Sequence, residues 1–428
     1  MVNPTGRNQY GQKEYPSDDT FVAVFARYAA EKNGSGLNAD EQRDRLKSEL
    51  KLDISRAKLF AIRRRLKIPS VRKNTTSPHE RAQAVLDIKA DDILGNWGVG
   101  QTMQRLANKG ILIPRDELRT YLHDNFDEEF DRRFIHGRNG IDRVPLNCLG
   151  PWHQIHCDGH EKLNAQALEM GPVSIPIYGF KDQFSAFVVS LKVVPDSRNV
   201  ETICHLFLDL VEENGCIPLQ LVMDKGAEIG DMVRAQETLR SRFAPEFSDD
   251  KWPPTVQVQS KRNTPIESFW SWQRKGEGFN IKHAILSGKA TGLFNPGCQL
   301  HIDLFNWIWP PLVQARLDIF REYWNNHRIS KQKKKLLPSG TSPRHAWTAP
   351  SSARADARPC SIGVEYSAVR QLREGIGGDD GREQALAFVN PVFKANADAA
   401  LGTLGFPEIT LANVWEIFSA VANILSPS

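Results

Sequence analysis

The chain has 428 residues, 40% of them hydrophobic, with a formal net charge of +4, which predicts two to four domains with real cores. Its six cysteines (Cys148, Cys157, Cys204, Cys216, Cys298 and Cys360) are scattered without C-x-x-C spacing, which argues against a disulfide scaffold and against a zinc site. The polar start at 1–15 has no signal-peptide core and no run approaches ~18 apolar residues, so the expectation is a soluble, intracellular protein with no membrane partner.

Residues 1–17 are polar, rich in Gly, Pro, Asn and Gln, and are expected to be disordered. A first helix is predicted at 21–32, closed by Asn33-Gly34-Ser35-Gly36. Asn38 or Asp40 caps a second helix running to Leu50, and a turn at Leu52-Asp53 leads to a third at 55–66. Helix, short turn and basic helix outline a helix-turn-helix over 18–74. From Arg56 to Lys73 every charged residue is positive, while Leu59, Ile62 and Leu66 keep one face apolar. Arg56, Lys58, Arg63, Arg64 and Arg65 are the expected phosphate contacts, set against the plainer reading of a solvated helical face.

A second helical unit and basic connector follow at 75–147. Gly98-Val99-Gly100-Gln101-Thr102 opens a helix to Lys109, and another is predicted at 115–123. Ile54-Ser55-Arg56 and Leu59 are echoed 59 positions later by Ile113-Pro114-Arg115 and Leu118. The acidic patch of Asp124, Asp127, Glu128, Glu129 and Asp131 makes this unit the poorer phosphate binder, and an arm or multimerisation role suits it better. Arg132, Arg133, His136-Gly137-Arg138 and Arg143 then form the connector.

The next stretch organises the rest. An alternating run at 152–157 reads as a strand ending at Asp158. Strands at 173–180 and 184–194 flank Lys181-Asp182-Gln183, and an amphipathic helix at 200–213 places Ile203, Phe207 and Leu210 on one face. A strand at 215–224 ends at Asp224 before the turn signal Lys225-Gly226. A helix at 232–243, a short strand at 255–259 and a helix opening at Asn263 or Thr264, with Pro265 in its first turn, complete the set. That last helix carries Glu267.

Singly these acids are ordinary: an Asp before Gly is usually a turn residue, and a Glu in a first helical turn suits the dipole. Together, two strand-end aspartates and a helix glutamate in a consistent α/β order gather hard oxygen ligands of the kind Mg²⁺ or Mn²⁺ prefers. Two such ions roughly 3.5–4 Å apart serve in-line phosphoryl displacement without a covalent enzyme intermediate. His153, His156 and His160 flank Asp158; His156 alternates onto the same side as Asp158, where contact with a metal-bound water is one role and that of a satisfied core or rim histidine the more ordinary one. Glu228 is expected to serve the following helix, and Trp270 and Trp272 to be core residues.

These motifs resemble the integrase core domain of retroelement integrases and DDE transposases, of the ribonuclease-H-like superfamily. The first motif, "DG-x-x-KL" in the transposon-derived branch, stands as Asp158-Gly159-His160-Glu161-Lys162-Leu163. The second, D-x-G-x-E, is Asp224-Lys225-Gly226-Ala227-Glu228, and the third, "RN-x-x-IE-x-x-W", is Arg262-Asn263-Thr264-Pro265-Ile266-Glu267-Ser268-Phe269-Trp270. Tyr323-Trp324-Asn325-Asn326-His327-Arg328 and Pro343-Arg344-His345-Ala346-Trp347 resemble the end of that domain. Two departures stand out. The 43 positions from Asp224 to Glu267 exceed the retroviral interval, and Ala186 replaces the Arg of the family's "D-x-x-SR" turn, of which Asp182 and Ser185 remain.

The resemblance implies a mixed five-stranded core at 148–348 with Asp158, Asp224 and Glu267 as catalytic metal ligands for two Mg²⁺ or Mn²⁺ ions. Lys261, Arg262, Arg274 and Lys275 flank the third acid as further DNA contacts. It also implies DNA cleavage and strand transfer, element ends and target DNA as partners, a homo-oligomer, and the nucleus as location in a eukaryote. The alternatives are a catalytically retired DNA-binding or scaffold protein, and a nuclease that only hydrolyses.

Downstream, 279–298 is read as a Gly-rich loop with marginal helix, and helices at 300–309 and 312–326 as broken at Pro310-Pro311. Lys331-Gln332-Lys333-Lys334-Lys335 is a basic run, more often a solvated loop than a phosphate contact or a nuclear address. A linker begins at 349, followed by a helical tail to 428: a helix near 364–374, a Gly/Asp-rich break at 375–381 and an apolar last helix at 411–424. The tail's apolar content suggests packing on the core or on another subunit.

Overall fold

The computed structural model describes residues 15–71, 76–126, 148–226, 228–259, 263–332 and 335–426. It divides into two compact units, one of Met1–Lys89, Trp97–Pro145 and Asn326–Ala357, the other of Ala90–Asn96, Leu146–Asn325 and Arg358–Ser428.

In the first unit, Ser17 caps α1 (Asp18–Ala30) by accepting from the Thr20 amide. Asn38 and Glu41 form a reciprocal capping box on α2 (Ala39–Leu50), and Ser55 caps α3 (Arg56–Arg65). Phe21, Phe25, Tyr28, Leu46, Leu59 and Ile62 make their shared core. A second core joins α4 (Pro78–Ala90), α5 (Val99–Asn108) and α6 (Arg115–Asn125) through Val85, Ile88, Leu106, Leu118 and Leu122. Beneath α1 and α2 lies a buried ion pair, Arg45 to Glu31 at 2.8 Å. The Ser342 hydroxyl also donates to Glu31 and, at the same time, caps the short helix Pro343–Thr348.

The second unit is built on a five-stranded mixed sheet ordered β3-β2-β1-β5-β6. β1 (Gln154–His160), β2 (Ile177–Asp182) and β3 (Val188–Val193) are successively antiparallel. The long amphipathic α7 (Val200–Asn214) buries Ile203, Phe207 and Leu210 and carries the chain back so that β5 runs in the same direction as β3. β4 (Cys216–Ile217) precedes β5 (Gln220–Asp224), which lies parallel to β1. α8 (Gly230–Phe243) then leads to β6 (Thr255–Val258), parallel to β5. Asp182 stabilises the β2–β3 turn by accepting from the Ser185 amide and hydroxyl and from the Trp152 amide.

After β6 come α9 (Thr264–Gln273), a π-helical turn at Arg274–Gly278, α10 (Phe279–Ala290) and α11 (Gln299–Asn326). Two expectations are corrected here. Residues 279–290 are helix, because Ile281, Ala284 and Ile285 are buried at helical spacing. α11 runs unbroken through Pro310 and Pro311. Leu304, Phe305, Ile308 and Trp309 before the prolines, and Val313, Leu317 and Phe320 after them, share one buried stripe, and that burial outweighs the missing amide donors.

The last stretch is folded onto this unit. β7 (Ile362–Gly363) pairs antiparallel with β4. α12 (Tyr366–Glu374) and α13 (Gly378–Leu386) send Arg373 and Arg382 to Asp209 on α7. The expected break at 375–381 is thus narrower, since helix resumes at Gly378 behind a left-handed Gly377. α14 (Pro391–Thr403) was not anticipated, and α15 (Val414–Leu425) drives Trp415 onto Gly288, its indole donating to the Ala284 carbonyl at 2.7 Å. Among the described residues no helix is long and apolar enough to cross a membrane.

Candidate active site

β1 and β5 run parallel in the register Gln154↔Gln220, Ile155↔Leu221, His156↔Val222. The pairing ends at His156↔Val222; Asp158 and Asp224 each lie two residues beyond it toward the carboxyl ends of their strands, and the charge of Asp224 reaches Asp158. Both side chains emerge half-buried.

α9 supplies the third acid. Asn263 precedes it, Pro265 lies in its first turn, and Ile266, Phe269 and Trp270 are buried beneath it. Glu267 occupies the exposed side of that first turn. One turn on, the Trp270 indole Nε1 donates to Asp158 Oδ2 at 2.9 Å. Its ring stacks on His160, centroids 4.8 Å apart and planes 14° from parallel. Room for the indole comes from Gly179, the β2 partner of Asp158, where a Cβ would fall 2.9 Å from Trp270 Cη2.

Burial is the first cause lifting the Asp158 carboxyl to about 7, and the negative charges of Asp224 and of Glu267 add to it. The Trp270 bond works in the opposite sense. The charge of Glu267 thus reaches Asp158, although among the described residues no three His, Cys, Asp or Glu side chains are close enough to hold a metal ion. Neither aspartate is hydrogen-bonded to a lysine or arginine among the described residues. Two hard, mutually repelling carboxylates at adjoining strand ends are a donor set that fits a divalent cation.

Around this pair the positions differ in what they offer. His156 is buried with both ring nitrogens engaged, by Asn263 Oδ1 at 2.6 Å and Gln183 Oε1 at 2.7 Å, as a satisfied core histidine should be. Lys162 and Arg274 both act on His160, whose imidazole is held near 4 mainly by burial. Lys162 was overlooked as a candidate contact although it stands in the first motif. Lys275 is exposed, Arg274 half-buried, and Lys261 and Arg262 lie outside the described residues. In the first unit Arg56, Lys58 and Arg64 are exposed, Arg65 is paired with Asp18 and Arg63 is half-buried against Gln42.

Two side chains depart from expectation. Glu228 gives α8 no cap; its carboxylate folds over Gly226, where any Cβ would sit 2.1 Å from Oε1. Trp272 is 50% exposed rather than core, because the buried stripe of α9 passes through Phe269, Trp270 and Gln273 and leaves it on the outer side.

A mixed sheet of this order, helices around it and acids at the ends of its central parallel strands define a core of ribonuclease-H-like fold. Residues 147–351 match the family model described as Integrase core domain, and the chain therefore carries an integrase core. No curated protein matches the chain.

Proposed function

We propose that this integrase core is a DDE-type polynucleotidyl transferase that cleaves DNA to expose a 3′-hydroxyl and joins that hydroxyl to a target strand. The observation that supports it is that the charges of Asp224 and of Glu267 are both felt at Asp158, with the two aspartates each two residues past the last β1–β5 pair. Asp158 and Asp224, with Glu267 beside them, are the residues that would hold Mg²⁺ or Mn²⁺. When bound, such ions supply charge neutralisation at the attacking and leaving oxygens.

The chain's own groups do the positioning. The Trp270 indole fixes which Asp158 oxygen faces α9, and Lys162, Arg274 and Lys275 neutralise phosphate along the approaching strand. The exposed cations of α3 belong to a helix-turn-helix that places the DNA end, with a homo-oligomer bringing ends and target together. In each chemical step one P–O bond forms and another breaks, so no enzyme–DNA covalent bond is needed. A strand-transfer assay on terminal DNA compares the wild type with D224N; the joined product should vanish in the variant, and equal activity in both would remove the assignment.

One observation favours the second reading, a DNA-binding or scaffold protein without catalysis: the three acids do not stand together as a ready ligand set. That reading predicts DNA affinity indifferent to Mn²⁺ and to E267Q, and a Mn²⁺ titration separates the two.

A further inference from the structure

Asn263 Nδ2 donates to the Cys157 carbonyl at 3.2 Å, which fixes the orientation of its amide. The amide oxygen therefore faces His156 Nδ1 at 2.6 Å as an acceptor, and Nδ1 must carry the hydrogen. The other ring nitrogen faces Gln183 Oε1, on the turn after β2, at 2.7 Å; in a neutral ring with Nδ1–H it can only accept, which requires the Gln183 amide turned over with its NH₂ toward the ring. All three residues are buried: His156 is 4% exposed, Asn263 1% and Gln183 5%. Asn263 is the residue from which α9 starts, yet its side chain makes no cap bond to the helix. It is committed to β1 instead.

We propose that His156 and Asn263 form a strut that sets where α9 begins against β1, making both of them positioning residues for Glu267. The inference rests on the reading of Glu267 as part of the active centre. Trp270 ties α9 to Asp158 one turn further on, but the first turn, where Glu267 sits exposed, is held to β1 by Asn263 at its base. A directed donor bond between two buried side chains in neighbouring elements fixes both distance and rotation, which a purely apolar contact does not.

The test uses two substitutions of similar bulk. In H156N the new Nδ2 overlays the Nδ1 donor and keeps the bond to Asn263, while in H156Q the new amide reaches toward Gln183 and abandons it. DNA cleavage by H156N should stay within about threefold of wild type, while H156Q loses about a hundredfold in kcat with KM for DNA unchanged. Equal loss in the two variants, or greater loss in H156N, overturns the strut. A second measurement does not depend on activity: the ¹⁵N shifts of His156 in the full-length wild type should report the Nδ1–H tautomer, and an Nε2–H tautomer overturns the strut. If the wild type cleaves no DNA with Mn²⁺, the functional reading fails, and the tautomer then decides the strut by itself.

Discussion

The Trp270 indole and the Asp158 carboxylate, 2.9 Å apart, join the helix of the third acid to the strand of the first. The bond stabilises the ionised carboxylate against its two negative neighbours. W270F should raise the Asp158 pKa further, by about one unit for loss of a bond to a charged group. The midpoint of Mn²⁺ binding against pH, followed by calorimetry, should move upward accordingly; an unmoved midpoint contradicts the role given to the indole.

Asp158 also makes stability depend on pH. Its folded pKa of about 7 lies above the ordinary 3.8, so the stabilisation belongs to the protonated form. It is complete below the ordinary value and is lost as pH rises through about 7. Without divalent cations, denaturant unfolding should show stability from this group falling across that window, and D158N should flatten that portion of the profile.

The buried pair of Arg45 and Glu31 has side chains 1% and 0% exposed. R45M leaves Glu31 uncompensated and should destabilise the protein by about 3–5 kcal/mol. Chemical denaturation measures this, and a loss comparable to a surface pair would show that Ser342 alone satisfies the carboxylate.

Gly288 lies under Trp415, where a Cβ would come within 2.2 Å of the ring. G288A should therefore cost about 1–3 kcal/mol through overpacking. A Tm equal to wild type would mean that α15 shifts freely.

On α3 the cations are not equivalent. Arg64 is exposed, whereas Arg65 is bonded to Asp18 at 2.6 Å through both carboxylate oxygens. R64A should lower the slope of log affinity against log salt by about 0.9 for duplex DNA. R65A should change it less, as fluorescence anisotropy at several salt concentrations would reveal.

The sheet and its acids were legible because each depended on a local pattern. An apolar run ended in Asp158 or Asp224, and Asn263 with Pro265 announced a helix around Glu267. The start of α14 carried the same kind of signal in Asn390-Pro391 and was missed. Elsewhere the deciding contact was remote. Gly288, Gly292 and Gly297 suggest a loop over 279–298, but helix holds to Ala290 on its buried stripe, and Pro310-Pro311 sits in a helix whose apolar stripe continues on both sides. Glu228 reads as serving the following helix because nothing nearby in the sequence shows its carboxylate turning back over Gly226. Ser342 and Glu31 are 311 positions apart and advertise nothing of each other.

The chain passes between its two compact units at 89/90, 96/97, 145/146, 325/326 and 357/358. No single scission, whether by protease, truncation or recombination, separates them into whole pieces. Removing the first 145 residues would strand Asn326–Ala357 without the helices that complete its fold, leaving the Ser342 hydroxyl with no Glu31 to meet. An exchange of front modules among such genes would therefore have to rewrite that returning ribbon as well.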